Sequence, residues 1–435
     1  MEWIDNIIFI VILAFASFLF AKNAGKIRRN ILLGRDINRS DRKGERWSLM
    51  SKVALGQSKM VAKPIAGFFH ILIYVGFVLI NIEVLEILID GIFGTHRIFS
   101  SYLGGIYTVA IHFFEILALG VIVACVVFLA RRVLLKIKRF HSPEMQGWAT
   151  RDAKNILYIE LVLMFALLMM NAVESNFETN AVGPFVISGL IAPMFSGFEQ
   201  TSLHLLERSF WWFHILGILA FLNYLPFSKH FHIFLSFPNV WYANLDEKGR
   251  FSNMTSITEE VKKMLDPNAD PYADPDPNAP DPERFGAKDV MDLNWVQLMN
   301  AYSCTECGRC TSECPANQTG KKLSPRKIMM DTRDRLDEVG KIIDKEGSFN
   351  DDGRSLLDTF ISREELWACT TCNACVEACP IGIDPLSIIM EMRRYLVMEE
   401  SAAPQELNLM MANVENNAAP WQFAQADRLN WAEEA

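Results

Sequence analysis

The 435-residue sequence has little that would support catalysis by its own side chains. It has no phosphate-binding P-loop, no dinucleotide fingerprint and no evident nucleophile. The net charge is −9, with basic residues clustered in loops of the first half and acidic residues in the second, so no nucleic-acid partner is implied. Outside two short motifs the only cysteine is Cys125, which we interpret as a small apolar filler. These absences favour a protein that relies on bound cofactors.

The other eight cysteines form two copies of the pattern C-x-x-C-x-x-C-x-x-x-C-P. Three thiolates at this spacing hold one [4Fe-4S] cluster, while the fourth, before proline, is a ligand of the other cluster. We therefore predict crossed sets. The first cluster is assigned to Cys304, Cys307, Cys310 and Cys379, and the second to Cys369, Cys372, Cys375 and Cys314.

Two alternatives compete with iron-sulfur clusters for these cysteines. Structural zinc sites usually use two cysteine pairs, and disulfides need an oxidising compartment. Because cluster thiolates must stay reduced during assembly, we expect this part of the chain in the cytoplasm.

Five apolar runs have the length of a membrane-spanning helix. They cover residues 3–21, 65–89, 105–130, 155–173 and 210–228. Most basic residues lie in the first and third connections, whereas the other two contain little beyond Arg97 and Arg208. The positive-inside rule then predicts an inner-membrane protein with its N-terminus outside and its cysteine motifs in the cytoplasm.

Two segments could change this topology. Val182–Gly197 is apolar, but its glycines and prolines favour a short interfacial or re-entrant piece over a sixth span. The first run could be a signal peptide, yet Glu2 and Asp5 stand where a positive region belongs, so we predict a retained helix.

Histidines in membrane helices are candidate functional sites. His70 and His232 lie at similar depth near the cytoplasmic side, and His112 and His214 at similar depth nearer the outside. His214 and His232 are five helical turns apart, about 27 Å along one face. We predict an inner haem b held by His70 and His232 and an outer haem b held by His112 and His214. Core histidines with local hydrogen bonds are the alternative.

Other polar residues have weaker cases. His230 is the main rival for the inner site and His204 for the outer one, whereas His96 and His141 are interpreted as loop histidines. Glu115, one turn from His112, could pass protons to a quinone or anchor a hydrogen bond. For four acidic residues near the outer surface we expect solvation. These are Glu83, Glu86, Asp90 and Glu207.

The fold class is predicted to be all-α, a five-helix transmembrane haem b bundle followed by a helical two-cluster ferredoxin domain. Residues 256–259 resemble a capping box that starts a short helix. Two longer helices are predicted to begin at Ser324-Pro325 and Asp384-Pro385 and to end near Asp344 and Met398. The acidic, proline-rich stretch 266–285 is predicted to be a flexible tether. The predicted domains are the membrane bundle 1–240, the helix and linker 241–285, the ferredoxin domain 286–400 and a partner-docking tail 401–435.

The membrane half resembles the γ subunit of respiratory nitrate reductase and related membrane subunits of heterodisulfide-reductase-like and sulfite-reduction-linked complexes. The residues that carry this resemblance are Phe69-His70-Ile71, His214, Leu225-Pro226-Phe227-Ser228-Lys229 and His232-Ile233. In the γ subunit the second span carries two haem histidines. This chain has Ile80 at the second position, and His112 is the proposed substitute.

The second half is similar to the C subunit of heterodisulfide reductase and to iron-sulfur oxidoreductases that link electron-transferring flavoprotein, lactate or glycolate oxidation to quinone. The similarity lies in Cys304-Thr305-Glu306-Cys307-Gly308-Arg309-Cys310, Trp367-Ala368-Cys369-Thr370-Thr371-Cys372 and the stretch from Pro315 to Arg326. The end of the chain, with Asn416-Asn417 and Pro420-Trp421, resembles the stretch that in fused relatives leads into cysteine-rich CCG domains. The resemblance implies that those domains belong to a separate cytoplasmic subunit.

These expectations describe an oxidoreductase subunit that passes electrons between a cytoplasmic partner and menaquinone or ubiquinone in the lipid membrane. A conduit specific for electron-transferring flavoprotein, and a membrane-anchored redox sensor or scaffold, are the alternatives.

Overall fold

The computed structural model describes residues 2–179, 182–267 and 284–433, which are mostly helical and contain no β-strand within those ranges. The α-helices in chain order are α1 Glu2–Ile31, α2 Lys43–Met50, α3 Pro64–Phe93, α4 Ser100–Leu103, α5 Gly105–Val133, α6 Trp148–Glu174, α7 Gln200–Tyr224, α8 His232–Trp241, α9 Thr255–Leu265, α10 Trp295–Ser303, α11 Arg309–Ser312, α12 Pro315–Gln318, α13 Pro325–Glu346, α14 Arg363–Trp367, α15 Ala374–Ala378, α16 Pro385–Met398, α17 Gln405–Asn417 and α18 Asn430–Glu433. Short 3-10 turns occupy Met60–Ala62, Lys138–Phe140, Pro143–Met145, Ser188–Leu190, Ala192–Phe195, Leu225–Phe227, Lys229–Phe231, Val290–Asp292 and Gln425–Leu429, and π turns occupy Ser51–Leu55 and Leu356–Phe360.

Five helices are long and apolar enough to cross a membrane, and they coincide with the five predicted spans. They are α1, α3, α5, α6 and α7. Several continue past the predicted run into basic residues. Arg28 and Arg29 lie in the last turn of α1, and Arg131 and Arg132 in the last turn of α5. Cations at a helix C-terminus interact favourably with the helix dipole, so these basic flanks are compatible with longer helices.

The five long helices form a closed ring. Their main contacts run from α1 to α3, α5, α6, α7 and back to α1. Ile111, Leu167 and Ile215 are buried inside the ring, while side chains such as Phe15 and Phe165 are exposed on its outside, as expected for a surface that faces lipid. In α6, 61% of the apolar stretch is buried, against 11% in α1, so α6 is the most enclosed helix and α1 the most peripheral.

The apolar segment Val182–Gly197 forms short 3-10 turns and no helix of spanning length, as predicted. Its backbone is held by a side chain from α5. The carboxylate of Glu115 accepts hydrogen bonds from the backbone N–H groups of Ile187 at 3.0 Å and Ser188 at 3.3 Å. Non-helical backbone at membrane depth needs such partners, because lipid supplies none.

The acidic residues near the outer surface are buried, which corrects the predicted solvation. They are Glu83, Glu86, Asp90 and Glu207. Arg97 lies beside them, is only 5% exposed, and donates to Glu83 at 2.9 Å, Glu174 at 2.8 Å and Asn171 at 2.7 Å. Burial would lower the pKa of Arg97, but Glu174 and Glu83 outweigh it and hold the pKa well above its ordinary value. His96 also differs from a simple loop histidine, since its Nε2 lies 3.2 Å from Glu174. We call Arg97 and these partners the outer polar cluster.

The C-terminal half is organised around α10, α13 and α16, which pack against one another in sequence. Both predicted helix starts are confirmed. Ser324 accepts a hydrogen bond from the N–H of Lys327 at 3.4 Å, and Asp384 accepts one from the N–H of Ser387 at 2.9 Å. α13 and α16 end close to the predicted residues.

The helix before the acidic linker begins one residue earlier than predicted. Met254 is at the N-cap of α9 and provides no side-chain cap, so the predicted capping box at residues 256–259 does not start this helix. Most of the predicted linker, residues 268–283, lies outside the described residues.

The two halves of the protein are in direct contact, which corrects the expectation of a loosely tethered second domain. α1 packs on α10 and α13, and α8 packs on α10. Asn30 donates to the hydroxyl of Tyr302 at 2.9 Å. Lys229, just after the fifth span, forms an ion pair with Glu306, which also accepts a hydrogen bond from Arg333 at 2.8 Å. Glu306 is therefore a buried bridge between the halves.

Candidate functional site

The two cysteine motifs have the same local backbone. In each, the residues two and four positions after the first cysteine have positive φ, at Glu306 and Gly308 in the first motif and at Thr371 and Asn373 in the second. Residues in the left-handed conformation at these positions turn the chain tightly, so that its direction changes. A short helix then carries the third cysteine of each motif, α11 in the first and α15 in the second.

The short helices α11 and α15 pack against each other, which brings the motifs together. Burial raises the pKa of the Cys304 and Cys375 thiols to about 12 and that of Cys379 to about 11. Nearby thiols contribute to these shifts. The negative charge of the Cys379 thiolate raises the pKa of Cys304 in the other motif, and that of Cys314 raises the pKa of Cys375. Cys379 thus lies near Cys304, Cys307 and Cys310 of the first motif, and Cys314 lies near Cys369 and Cys375 of the second, as crossed sets require.

The cysteines of the first predicted set converge on one cavity. All nine cysteines are free, so no disulfide is formed. In the described ranges no three histidine, cysteine or acidic side chains converge on a position for a single metal ion. The whole first set, Cys304, Cys307, Cys310 and Cys379, instead lines one cavity, and this arrangement fits a cluster bound by that set.

That cavity, of about 380 Å³, extends from the first cysteine set into the helix ring. Its membrane end is lined by His70 on α3 and by His230 and His232 after the fifth span. Burial lowers the pKa of His230 to about 3 and lowers that of His232. Both imidazoles are therefore neutral at pH 7, the form that binds a metal.

The hydrogen bonds of His232 and His214 leave Nε2 available on each ring. Nδ1 of His232 lies 3.1 Å from the carbonyl oxygen of Lys229, and Nδ1 of His214 lies 2.9 Å from that of Leu163. Metal-bound histidines are commonly oriented by such a bond. Nε2 of His214 is buried without a partner, as is Nδ1 of His70.

The remaining histidines are less closely grouped. Nε2 of His112 is buried without a partner, but neither His112 nor His214 lines the cavity that contains His70 and His232. The rival His204 is exposed and stacks on Phe177 with ring centroids 4.2 Å apart. His141 contacts the backbone of Arg132 and is exposed. The outer pair stays a prediction.

The cavity is strongly cationic where the two halves meet. Its lining includes Arg131, Arg132, Lys229, Arg139, Arg309 and Arg326. Nε of Arg139 and Nε of Arg326 are buried without hydrogen-bond partners. Burial lowers the pKa of Arg139. Positive charge beside the first cysteine set is suited to a bound group with negative charge, such as a thiolate-ligated cluster or a carboxylated macrocycle.

Two carboxylates inside the ring, the buried Glu115 and the partly exposed Glu160, have different surroundings. Glu115 is fully engaged, since it also lies 3.3 Å from Nδ2 of Asn171 in addition to its two backbone donors. Glu160 on α6 lines the cavity, and its carboxylate oxygen lies 3.9 Å from Nε2 of His230. Sequence reasoning missed Glu160. The available signal was a single acidic residue in the apolar stretch Asn155–Leu163.

Comparison with known families gives one match. Residues 303–383 match the 4Fe-4S dicluster domain. This range contains all eight motif cysteines.

Comparison with curated proteins gives relatives along the whole chain. The chain is 27% identical to the probable iron-sulfur-binding oxidoreductase FadF of Bacillus subtilis, over 99% of the chain and 61% of that protein. It is 27% identical to the EtfAB:quinone oxidoreductase of Syntrophomonas wolfei, over 100% of the chain and 60% of that protein. A probable membrane-anchored ferredoxin of Chromohalobacter salexigens is 33% identical over 34% of the chain and 24% of that protein.

The chain thus spans about 60% of the length of the first two relatives. No solved structure matches it. The chain thus combines five membrane-length helices with a 4Fe-4S dicluster domain, and it is similar along its whole length to proteins named as iron-sulfur and quinone oxidoreductases.

Proposed function

We propose that this subunit carries electrons between a cytoplasmic partner protein and quinone in the membrane. Its proposed cofactors are two [4Fe-4S] clusters and haem b. The observation that carries the proposal is the single cavity shared by the first cysteine set and by His70 and His232. Groups bound at its two ends would be near neighbours, as electron transfer requires.

The clusters would be held by the crossed sets predicted from the motifs. One is Cys304, Cys307, Cys310 and Cys379, and the other is Cys369, Cys372, Cys375 and Cys314. The proximity of Cys379 to the first set and of Cys314 to the second supports this. When bound, clusters and haem supply one-electron transfer at potentials that the protein tunes through ligands, charge and burial.

For the inner haem we propose His70 and His232 as axial ligands. His232 is favoured over His230 because its Nδ1 is oriented by the carbonyl oxygen of Lys229. The arginines at the cytoplasmic end would neutralise acidic substituents of the macrocycle, and Arg139 has an unpaired buried Nε there.

For an outer haem we propose His112 and His214, each with a buried Nε2 that has no partner. The role of Glu115 in proton transfer is a weaker proposal, because its carboxylate is occupied by backbone donors.

The proposed location is the inner membrane, with the N-terminus outside and the cluster domain in the cytoplasm. The basic ends of α1 and α5 support it, since both lie on the side of the ring that contacts the C-terminal half. The proposed quinone is menaquinone or ubiquinone. The proposed partner is a cytoplasmic subunit with CCG-type domains, which the tail 401–435 would contact.

A flavoprotein partner is the second candidate, favoured by one relative being named an EtfAB:quinone oxidoreductase. A redox sensor or scaffold is the third, favoured by the membrane-anchored ferredoxin relative.

The test is to purify the protein from membranes and record dithionite-reduced minus oxidised spectra with haem extraction and iron and sulfide analysis. We expect haem b together with about eight cluster irons and eight sulfides per chain. Clusters without haem would contradict the conduit and favour the sensor or scaffold.

A further inference from the structure

Glu160 is a carboxylate in the membrane part of the cavity. It lies near the middle of α6, the most enclosed helix of the ring. Placing a carboxyl group at this depth is costly, so such residues usually contact a partner or a ligand. Glu160 has no hydrogen bond among the described residues, and its carboxylate lies 3.9 Å from Nε2 of His230.

Glu115 and Glu160 differ in their contacts. Both carboxylates face the interior of the ring. Glu115 is buried and accepts hydrogen bonds from the backbone of Ile187 and Ser188. Glu160 opens onto the cavity, and Nε2 of the neighbouring His230 is buried without a partner. An acid and a ring nitrogen that both lack partners at one cavity wall form an incomplete polar site.

The cavity also reaches the side of the ring that faces lipid. Tyr74 is one turn beyond His70 along α3, and Phe77 and Val78 are about one further turn on. Phe77 and Val78 line the cavity and are 39% and 49% exposed, so the cavity has an apolar, accessible wall on this helix. An apolar ring compound could therefore enter from the membrane and meet a polar end at Glu160 and His230.

We propose that this end of the cavity binds a quinone head group, with one carbonyl oxygen between Nε2 of His230 and the carboxyl group of Glu160. The inference rests on the proposed function, in which the partner protein supplies the electrons. His230 would donate a hydrogen bond to the oxygen, and Glu160 would transfer its proton to it.

The reaction balances as a two-electron reduction. The quinone gains two electrons and two protons, and its two C=O groups become C–OH groups. Glu160 gives one proton and regains it from water on the cytoplasmic side, and water protonates the second oxygen. In quinol oxidation every transfer is reversed.

The experiment compares the full-length protein with Glu160→Gln, Glu160→Asp, Glu115→Gln and His230→Ala. Tyr158→Phe is the matched control, because Tyr158 lies on the same helix, is 50% exposed and does not line the cavity. Three properties are measured in detergent: haem and iron per chain, quenching of a fluorescent hydroxyquinoline N-oxide as a quinone analogue, and reoxidation of the reduced protein by a short-chain naphthoquinone.

We expect Glu160→Gln to keep the haem and iron content of the unmodified protein. The analogue should bind up to about tenfold more weakly, as for the weakening of one hydrogen bond. Reoxidation should slow by about a hundredfold, as for loss of a general acid. Glu160→Asp should recover part of the rate, and His230→Ala should weaken binding without loss of haem.

Three results would overturn the inference. Glu160→Gln could bind and react as the unmodified protein does, His230→Ala could lose haem and so be an axial ligand, or Glu115→Gln alone could abolish quinone reaction. If the unmodified protein itself fails to react with quinone, the proposed function fails with it, and this outcome is distinct from the other three.

Discussion

The outer and inner ends of the helix ring both bury polar side chains, but they satisfy them differently. At the outer end Arg97 pairs with Glu83, Glu174 and Asn171. At the inner end His70 and Arg139 each leave a buried nitrogen without a partner, beside a cavity. Because a buried polar group without a partner is costly, the first arrangement indicates a structural role, and the second is suited to the haem site that we propose.

The strongest test of the inner end removes a predicted haem ligand. His70→Ala should remove the inner haem completely and spare the outer one, since the axial bond is lost and His112 and His214 lie outside this cavity. His232→Ala should do the same. Haem extraction and reduced-minus-oxidised spectra measure it, with exposed His141→Ala as the control. Full haem content in both variants would contradict the ligand assignment.

The strongest test of the outer end removes its cation. Arg97→Leu leaves Glu83 and Glu174 buried without that partner, which should cost about 3–5 kcal/mol of stability. Thermal unfolding in detergent measures it. Arg151→Leu is the control, because Arg151 is an exposed cation in the first turn of α6, away from the outer polar cluster. A loss no larger than that of the control would show that the outer polar cluster contributes little to the fold.

The contact between the two halves should have an intermediate effect. Glu306→Gln removes the buried negative charge that pairs with Lys229 and Arg333. Each cation keeps another acidic contact, at Asp152 and Asp334, so we expect a loss of about 2 kcal/mol. Because Glu306 lies between Cys304 and Cys307, the midpoint potential of the first cluster should also shift. A redox titration with Glu313→Gln as the control checks this. An unchanged potential and melting temperature would contradict a coupling role for this bridge.

The smallest effect is expected at the half-exposed rim of the same contact. Lys26 and Arg29 donate to Asp344 and lower the pKa of its carboxyl group. A lowered pKa stabilises the folded state above the ordinary value of 3.8, and this contribution is lost as the pH falls through the lowered folded-state value. Asp344→Asn should cost less than about 1 kcal/mol at pH 7, and less at high salt. Equal melting curves in low and high salt would contradict an ionic role.

Much of the architecture was predictable because its signals are local. The length of each apolar run, the Ser324-Pro325 and Asp384-Pro385 helix starts and the cysteine spacing are all properties of short segments. The structure confirms the helices, and the family comparison confirms the 4Fe-4S domain. The haem ligands and the crossed sets remain predictions that the geometry supports.

The failures concern residues whose partners are far away in sequence. Glu83 looked solvated because nothing near it in the chain shows that Arg97 is folded back over it with Glu174 on the other side. Glu160 was overlooked because its importance depends on a cavity built from four helices and the cluster domain. A loose tether was predicted because the contact between Lys229 and Glu306 joins residues from the two halves, and no short segment of sequence contains both.

The sequence by itself therefore determined the class of the protein, five membrane-length helices and a two-motif cysteine domain, because hydrophobic length and ligand spacing act within one segment. Only the tertiary structure decided which buried polar groups have partners and which face a cavity. Pairing depends on where separate helices place their side chains. In a low-dielectric interior, a charged group with a partner forms a structural ion pair, whereas one without a partner is suited to binding a ligand.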